Sequence, residues 1–331
     1  MRKPQDHPFI TTGPFMTDLK IGTRASPLAM VQAEMIAAMI TDASEGQIRT
    51  ELVPMTTTGD QIQDRSLVEA GGKGLFTKEL DIALAEGRAD VLVHSLKDVP
   101  VELPTGQTLI THPEREDPRD AFVSLAYARF EDLPEGARLG TSSVRRAAFA
   151  RARRPDLQLV EFRGNVQTRL KKLKDGVADA TFLAAAGLRR MGLSEHASDW
   201  ISEDVMLPAV GQGILGLAVE PHRLSDDVLG VLTSLNHGPS ALAAKVERAV
   251  LAELDGSCRT PIAAHLFPEA DGQRVLKAAV CHPSGSPFFS DEVVIRADAS
   301  VEDAVTLGRE LGQRLRKEGY AALPHLGDRR V

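Results

Sequence analysis

The sequence predicts an α/β protein in which two lobes flank a cleft and a smaller α+β domain follows. Three observations predict it. Apolar strands and amphipathic helices alternate in two successive units, as mostly parallel sheets with covering helices require. Two stretches, 111–120 and 207–213, turn polar or proline-bearing and break that alternation, which marks crossings between lobes. Beyond about residue 236 the pattern changes to a helix, strands divided by Asp-Gly and Ser-Gly turns, and a closing helix.

In the first unit, Leu19 to Thr23 reads as a strand, and Ser26-Pro27 supplies an N-cap followed by proline at the first helical position. Leu28, Val31, Met35 and Met39 then recur at the spacing of one buried helix face. Glu51 to Met55 reads as the next strand. After the glycine-rich loop Gly71 to Gly74, the residues Phe76, Leu80, Ala83 and Leu84 mark a second amphipathic helix before the strand A-D-V-L-V-H.

The second unit runs from G-T-S-S-V-R-R into a helix, then through the strand Leu157 to Phe162, the helix Asn165 to Lys174 and the strand A-D-A-T-F-L-A. Ile214 to Glu220 reads as a strand returning to the first lobe. In the last part, a helix to Leu254 precedes the loop D-G-S-C-R-T-P, and turns are expected at 271–272 and 284–285. Ser300 and Asp303 cap the closing helix, whose buried face carries Ala304, Leu307, Leu311 and Leu315. The expected division is an extension at 1–17, a first lobe from 18–112 and 211–232, a second lobe at 116–208, an α+β domain at 236–320 and a tail at 321–331.

Length and composition narrow the function. At 331 residues the chain exceeds one ordinary core. Hydrophobic residues at 43% and charged residues at 26% separate it from disordered chains. A net charge of −7 gives no support to nucleic-acid or membrane-surface binding, so local charge must decide. Two cysteines, Cys258 and Cys281, argue against a disulfide framework and for a reducing, cytoplasmic setting. No C-x-x-C or His/Cys cluster points to a metal, and no stretch approaches the roughly 20 apolar residues of a membrane span.

The candidate chemistry lies in four places. Residues 138–174 hold eleven Arg or Lys against two acids. Much of that reads as a solvated helix face, but Arg145 and Arg146 follow Thr141, Ser142 and Ser143 at a strand-to-helix turn. Arg163 precedes Gly164 at a second such turn, with Arg169 in the helix beyond. Hydroxyls and arginines at helix N-termini suit carboxylates and phosphates. Arg24 and Ser26 repeat the arrangement in the first lobe. Lys97 and Asp98, at the end of the strand 90–95, stand where open α/β sheets hold ligands. G-G-K-G-L-F brings Lys73 and Phe76 into a turn or lid, without the ending of a nucleotide-binding P-loop. Cys258 lies between glycine and proline, beside Arg259, in a context that favours a thiolate; Cys281, in a strand, reads as structural.

Taken together these motifs resemble the porphobilinogen deaminase family from Ile21 to about Leu266. The pieces, in register, are T-R-A-S-P-L-A, G-G-K-G-L-F-T-K-E-L, A-D-V-L-V-H-S-L-K-D-V-P, E-R-E-D-P-R-D-A-F, G-T-S-S-V-R-R, R-G-N-V-Q-T-R-L, L-P-A-V-G-Q-G and the Cys258 loop. The resemblance implies two lobes like those of periplasmic binding proteins and a third domain whose loop cysteine, here Cys258, holds a dipyrromethane by a thioether bond. It implies that porphobilinogen loses ammonia to give an azafulvene, and that four rounds of condensation and a hydrolysis yield hydroxymethylbilane. Asp98 matches the catalytic carboxylate. Arg24, Ser26, Ser143, Arg145, Arg146, Arg163 and Arg169 match positions for the acetate and propionate side chains, with Lys97 and Gln32 nearby. Within that set, Lys97, Asp98, Thr141, Ser142, Ser143, Arg145, Arg146, Arg163, Gly164 and Gln212 are expected at the cofactor, and Arg24, Ser26, Gln32 and Arg169 at the substrate. Lys73 and Phe76 match a flexible loop, and Gln212 the lobe crossing. Thr58 and Ser257 depart from the family pattern, in a peripheral contact and in loop shape. A monomeric transferase follows as the expectation.

Two other readings share some of these features. A non-enzymatic two-lobe binder of a small anionic ligand would have the cleft and the arginines without needing the Cys258 loop. A nucleic-acid binder would use the 138–174 cluster, but aromatic residues are not interleaved there for stacking.

Overall fold

The computed structural model describes residues 17–61, 74–254 and 260–322. It opens with strand β1 (Thr17–Arg24) and helix α1 (Pro27–Ala43), and Ser26 Oγ accepts from the Ala29 amide at 3.4 Å as the N-cap. The helix turns Ala29, Gln32, Ala33, Ile36 and Ile40 onto the sheet, while Met35 is 42% exposed. The face expected from Leu28, Val31, Met35 and Met39 is therefore rotated toward solvent. Two alanines let the helix sit close, and Gln32 is buried because its amide donates to Ser95 Oγ at 3.1 Å. Apolar spacing cannot register such a polar anchor.

Strand β2 (Ile48–Met55) pairs in parallel with β1, and β3 (Val91–Ser95) pairs in parallel on the other side. Between them lie the single turn α2 (Thr58–Gln61) and helix α3 (Lys78–Ala85), which buries Leu80, Ala83 and Leu84. After β4 (Thr108–Thr111) the chain crosses over and β5 (Asp120–Ser124) opens a second sheet. There follow β6 (Arg138–Gly140), α4 (Val144–Arg153), β7 (Gln158–Val160), α5 (Val166–Lys174), β8 (Ala180–Ala184), α6 (Ala185–Arg190) and β9 (Asp199–Trp200). Strand β10 (Leu215–Val219) then rejoins the first sheet.

The two sheets share one plan. Their orders are β2-β1-β3-β10-β4 and β7-β6-β8-β5-β9. In each, three parallel strands are followed by an antiparallel strand that has just arrived from the other lobe. Each crossing therefore ends at the carboxyl edge of the parallel strands, with Leu215 beside Ser95 and Asp120 beside Ala184. That edge is where open α/β sheets bind ligands. The crossings are also joined to each other: the Glu116 amide donates to the Gly213 carbonyl at 3.2 Å. At Gly213, with φ +88°, an added Cβ would lie 2.2 Å from the Glu116 carbonyl oxygen, so a side chain is excluded.

Helices α7 (Asp226–Ser234) and α8 (Gly238–Glu253) lead to the antiparallel sheet of β11 (Ile262–Pro268), β12 (Arg274–Cys281) and β13 (Phe288–Ile295), closed by α9 (Val301–Ala322). Ser300 Oγ accepts from the Asp303 amide at 3.1 Å and caps α9 as expected. This domain is seated on both lobes. Leu96, Val99 and Ile214 share one apolar cluster with Val246, Leu276 and Leu311, while Ala263, Ala279 and Cys281 share another with Phe122, Phe149 and Phe182. Thr17 already belongs to β1 and α9 runs to Ala322, so both the expected extension and the expected tail are shortened. Their remaining residues lie outside those described. No described helix is long and apolar enough to cross a membrane.

Candidate active site

On the first lobe, β3 ends at Ser95 and a single 3-10 turn, Leu96–Asp98, follows. The turn is set by the incoming crossing, because the Leu96 amide donates to the Ile214 carbonyl at 2.9 Å. Asp98 Oδ2 then lies 3.8 Å from Nη1 of Arg24, the last residue of β1. Arg24 also pairs with Asp60, through Nε at 3.3 Å, and its guanidinium sits 4.3 Å over the Phe76 ring. Four expected or newly seen groups thus meet at the head of the first sheet. His94, buried beneath them, has its pKa pushed down to about 4 by burial and by the Arg24 charge, and stays neutral.

On the second lobe, Ser143 Oγ accepts from the Arg146 amide and caps α4, while Thr141 Oγ1 accepts from the Ser143 amide at 3.1 Å. Ser142 Oγ accepts from the Phe162 amide at 3.2 Å, which ties this turn to the one carrying Arg163 and Gly164. A serine that accepts as a cap keeps its O–H as a donor, so Ser26 and Ser143 retain a group suited to a carboxylate. Gly164, at φ +116°, admits no side chain because Thr168 would lie 2.6 Å from a Cβ. Arg169 Nε donates to the Gly164 carbonyl at 2.9 Å. Its pKa is lowered to about 10, first by burial and then by the charges of Arg146 and Arg163, against which Glu161 acts.

Arg145 and Arg146 differ from their sequence reading in one respect. Both are buried against Asp120, which is fully buried itself: Arg145 Nη2 reaches Oδ2 at 2.6 Å, and Arg146 Nη2 reaches Oδ1 at 2.6 Å. Burial raises the pKa of Asp120, but the two arginines outweigh it and hold the carboxyl well below the usual range. Each guanidinium also donates to a carbonyl, Arg145 to Leu207 and Arg146 to Phe182. The pair is thus part of the lobe's interior as well as a candidate anion site. Two cations facing one anion leave a surplus positive charge.

Gln212 links the lobes. Its Nε2 donates to the Pro118 carbonyl at 2.6 Å and to Asp120 Oδ1 at 3.1 Å, while its Oε1 accepts from Lys97 Nζ at 3.3 Å. At 1% exposure its amide is committed within the protein, to Lys97, Asp120 and the Pro118 carbonyl. The sequence did not single out Asp120, or three other charged groups at this seam. Arg115 pairs with Glu247 of α8 at 2.6 Å, and Glu247 also accepts from the Gly211 amide at 2.8 Å. Arg248 donates to the carbonyls of Val99, Pro100 and Val101 at 3.0, 2.7 and 3.0 Å, gripping the chain just past Asp98. Cys258 and Lys73 lie outside the described residues.

A family model for the dipyromethane cofactor-binding domain of porphobilinogen deaminase matches residues 19–225, and one for the C-terminal domain of the same enzyme matches 241–317. The chain belongs to the porphobilinogen deaminase family. A porphobilinogen deaminase of Neisseria meningitidis is 48% identical over 92% of this chain and 96% of its own length. One of Albidiferax ferrireducens is 48% identical over 91% of this chain and 94% of its own length. Among solved structures, a periplasmic substrate-binding protein of an ABC transporter from Coxiella burnetii aligns at 16% identity and a TM-score of 0.42, over 70% of this chain and 96% of that one.

Porphobilinogen deaminases carry a dipyrromethane, and the residues here fit one. The charges of Arg146 and Arg163 both bear unfavourably on the half-buried Arg169, and the Ser143 cap hydroxyl stands at the Arg146 amide. A group bearing several carboxylates is what relieves that repulsion.

Proposed function

We propose that the chain is a porphobilinogen deaminase, a transferase that condenses four porphobilinogen molecules head to tail with loss of ammonia and hydrolyses the product to hydroxymethylbilane. The observation that carries this reading is the meeting of Asp98 with Arg24 at 3.8 Å at the head of the first sheet, in a chain 48% identical to curated deaminases over most of its length. When bound, the dipyrromethane supplies a nucleophilic pyrrole carbon on which the chain grows. The thiol of Cys258 is proposed to hold it.

Asp98 is the carboxylate that accepts from pyrrole N–H groups and opposes the cation left on the substrate when ammonia departs. Arg24, Ser26 and Gln32 hold substrate carboxylates on the first lobe; Arg169 does so on the second. Lys97, Thr141, Ser142, Ser143, Arg145, Arg146, Arg163 and Gly164 form the cofactor's side of the cleft, Gln212 acting behind them. Phe76, stacked on Arg24, covers the substrate side; a role for Lys73 beside it is proposed from the family motif alone. We place the lobe boundaries at 18–112 with 211–232 and at 116–208, followed by 236–320, a division that the sheet membership of the strands supports.

A cytoplasmic monomer acting on porphobilinogen without nucleic acid or membrane is the fuller reading. It draws on the two-cysteine composition and on the inward commitment of Arg145 and Arg146 to Asp120. A plain binder of a small anion would leave the match to a deaminase C-terminal domain unexplained. The test is intact mass of the purified protein together with product analysis after porphobilinogen is added. A two-pyrrole excess and hydroxymethylbilane are expected; an unmodified chain that forms no tetrapyrrole overturns the reading.

A further inference from the structure

We propose that Asp120 is a positioning residue for the reaction: one buried carboxylate holds the Arg145–Arg146 fork on the second lobe and, through Gln212, the Lys97 ammonium on the first. The inference rests on the deaminase reading above and adds to it the group that registers the two sides of the cleft.

Asp120 is the first residue of β5, where the first crossing ends. Its Oδ2 accepts from Arg145 Nη2 at 2.6 Å; its Oδ1 accepts from Arg146 Nε at 3.0 Å and Nη2 at 2.6 Å, and from Gln212 Nε2 at 3.1 Å. Gln212 belongs to the second crossing and passes the link on, since Lys97 Nζ donates to its Oε1 at 3.3 Å. Lys97 is the neighbour of Asp98 in the 3-10 turn. Both crossings and both candidate binding faces are therefore tied to a single carboxylate.

Charge explains why an acid stands at this point. Two adjacent guanidiniums repel each other, and Lys97 lies within reach of both. One interior carboxylate cancels one of these charges and sets the directions of both forks, so the arginine pair keeps a net charge matched to one ligand carboxylate. Without it, three cations relax apart and the cleft loses its register. If Asp120 served only to pin β5 to α4, its connection to Lys97 would be incidental.

The variants Asp120→Asn, Gln212→Met and the double substitution separate these roles. Gln212→Met leaves the Asp120–arginine contacts in place and removes the side-chain links from Gln212 to Lys97, to Asp120 and to the Pro118 carbonyl. It should fold, melt close to the parent and carry the dipyrromethane mass. Its kcat should nevertheless fall about tenfold while KM moves less than about threefold. Asp120→Asn should lose kcat and also show reduced cofactor occupancy by intact mass. In the double variant kcat should be no lower than in Asp120→Asn alone, because the two residues act through one path.

Gln212→Met holoenzyme within about twofold of the parent in kcat would overturn the proposal, as would losses that simply multiply in the double variant. Should Asp120→Asn not fold, the Gln212→Met result decides alone. A parent protein that makes no hydroxymethylbilane refutes the deaminase reading instead, and the two failures are distinct.

Discussion

Lys97 Nζ lies 3.3 Å from Oε1 of Gln212, and its surroundings hold its pKa down at about 8. The side chain is exposed, yet desolvation by the protein crowded around its base is the main cause; Arg146 and Arg145 add to it, and Asp98 and Asp120 act against it. The ammonium is therefore present below about pH 8 and lost above it, whereas an unperturbed lysine holds its proton to roughly 10.4. Because the folded value is the lower one, Lys97 costs stability most below about pH 8, and that cost fades as pH rises toward the unfolded value. A lysine-labelled, cofactor-free protein should show one NMR titration midpoint near 8, absent from a Lys97→Arg variant. An ordinary midpoint for that residue would disprove the description.

Replacing Arg145 and Arg146 together by leucine removes both charged partners of a fully buried carboxylate and leaves it the Gln212 amide. The loss should reach about 3–5 kcal/mol in urea denaturation, on top of any loss of ligand binding. Intact mass should also reveal chains without dipyrromethane. A double variant as stable as the parent, with full cofactor, would show that Asp120 finds other partners and that the arginines are dispensable.

Asp98→Ala should keep the fold and nearly abolish turnover. Loss of about 4 kcal/mol of stabilisation for the cationic substrate corresponds to roughly a thousandfold in rate. Asp98→Glu keeps the charge, but displacement by about 1 Å can cost roughly a hundredfold, so it should retain some activity. Steady-state hydroxymethylbilane formation measures both. Turnover by the alanine variant within about tenfold of the parent removes Asp98 from the chemistry.

Cys258→Ala should purify without the two-pyrrole mass and without activity. The other cysteine cannot stand in for it: Cys281 is fully buried and burial pushes its thiol up to about 11. A covalent dipyrromethane surviving in Cys258→Ala would relocate the attachment site.

Local signals in the sequence carried most of the architecture. Ser26-Pro27 and the Ser300–Asp303 cap of α9 depend on neighbours three residues apart, so they can be read directly. Strand–helix alternation and the two polar crossings gave the lobes for the same reason. The face of α1 was misjudged because Gln32 is held by Ser95, 63 residues away. Asp120 went unnoticed among the acids of E-R-E-D-P-R-D because its partners Arg145 and Arg146 are 25 and 26 residues distant and Gln212 is 92. Pairings made by the crossings leave no periodic trace. Its place at the end of the strand 90–95 makes Asp98 a ligand-site candidate, and the resemblance to the family gives it the catalytic role.

The insertion of β10 between β3 and β4 has a consequence for synthesis on the ribosome. The first sheet lacks an interior strand until Val219 has emerged, although its other strands are made by Thr111. Every strand of the second sheet lies between Asp120 and Trp200, a continuous stretch with shorter loops to close. The lobe translated second should thus be the first to fold, against the usual N-terminal-first order. Nascent chains arrested far enough past Leu207 for that residue to have left the exit tunnel, with β10 still inside it, should resist protease across β5 to β9 while β3 and β4 remain cleavable. Equal protection of both sheets at that length would reverse the order.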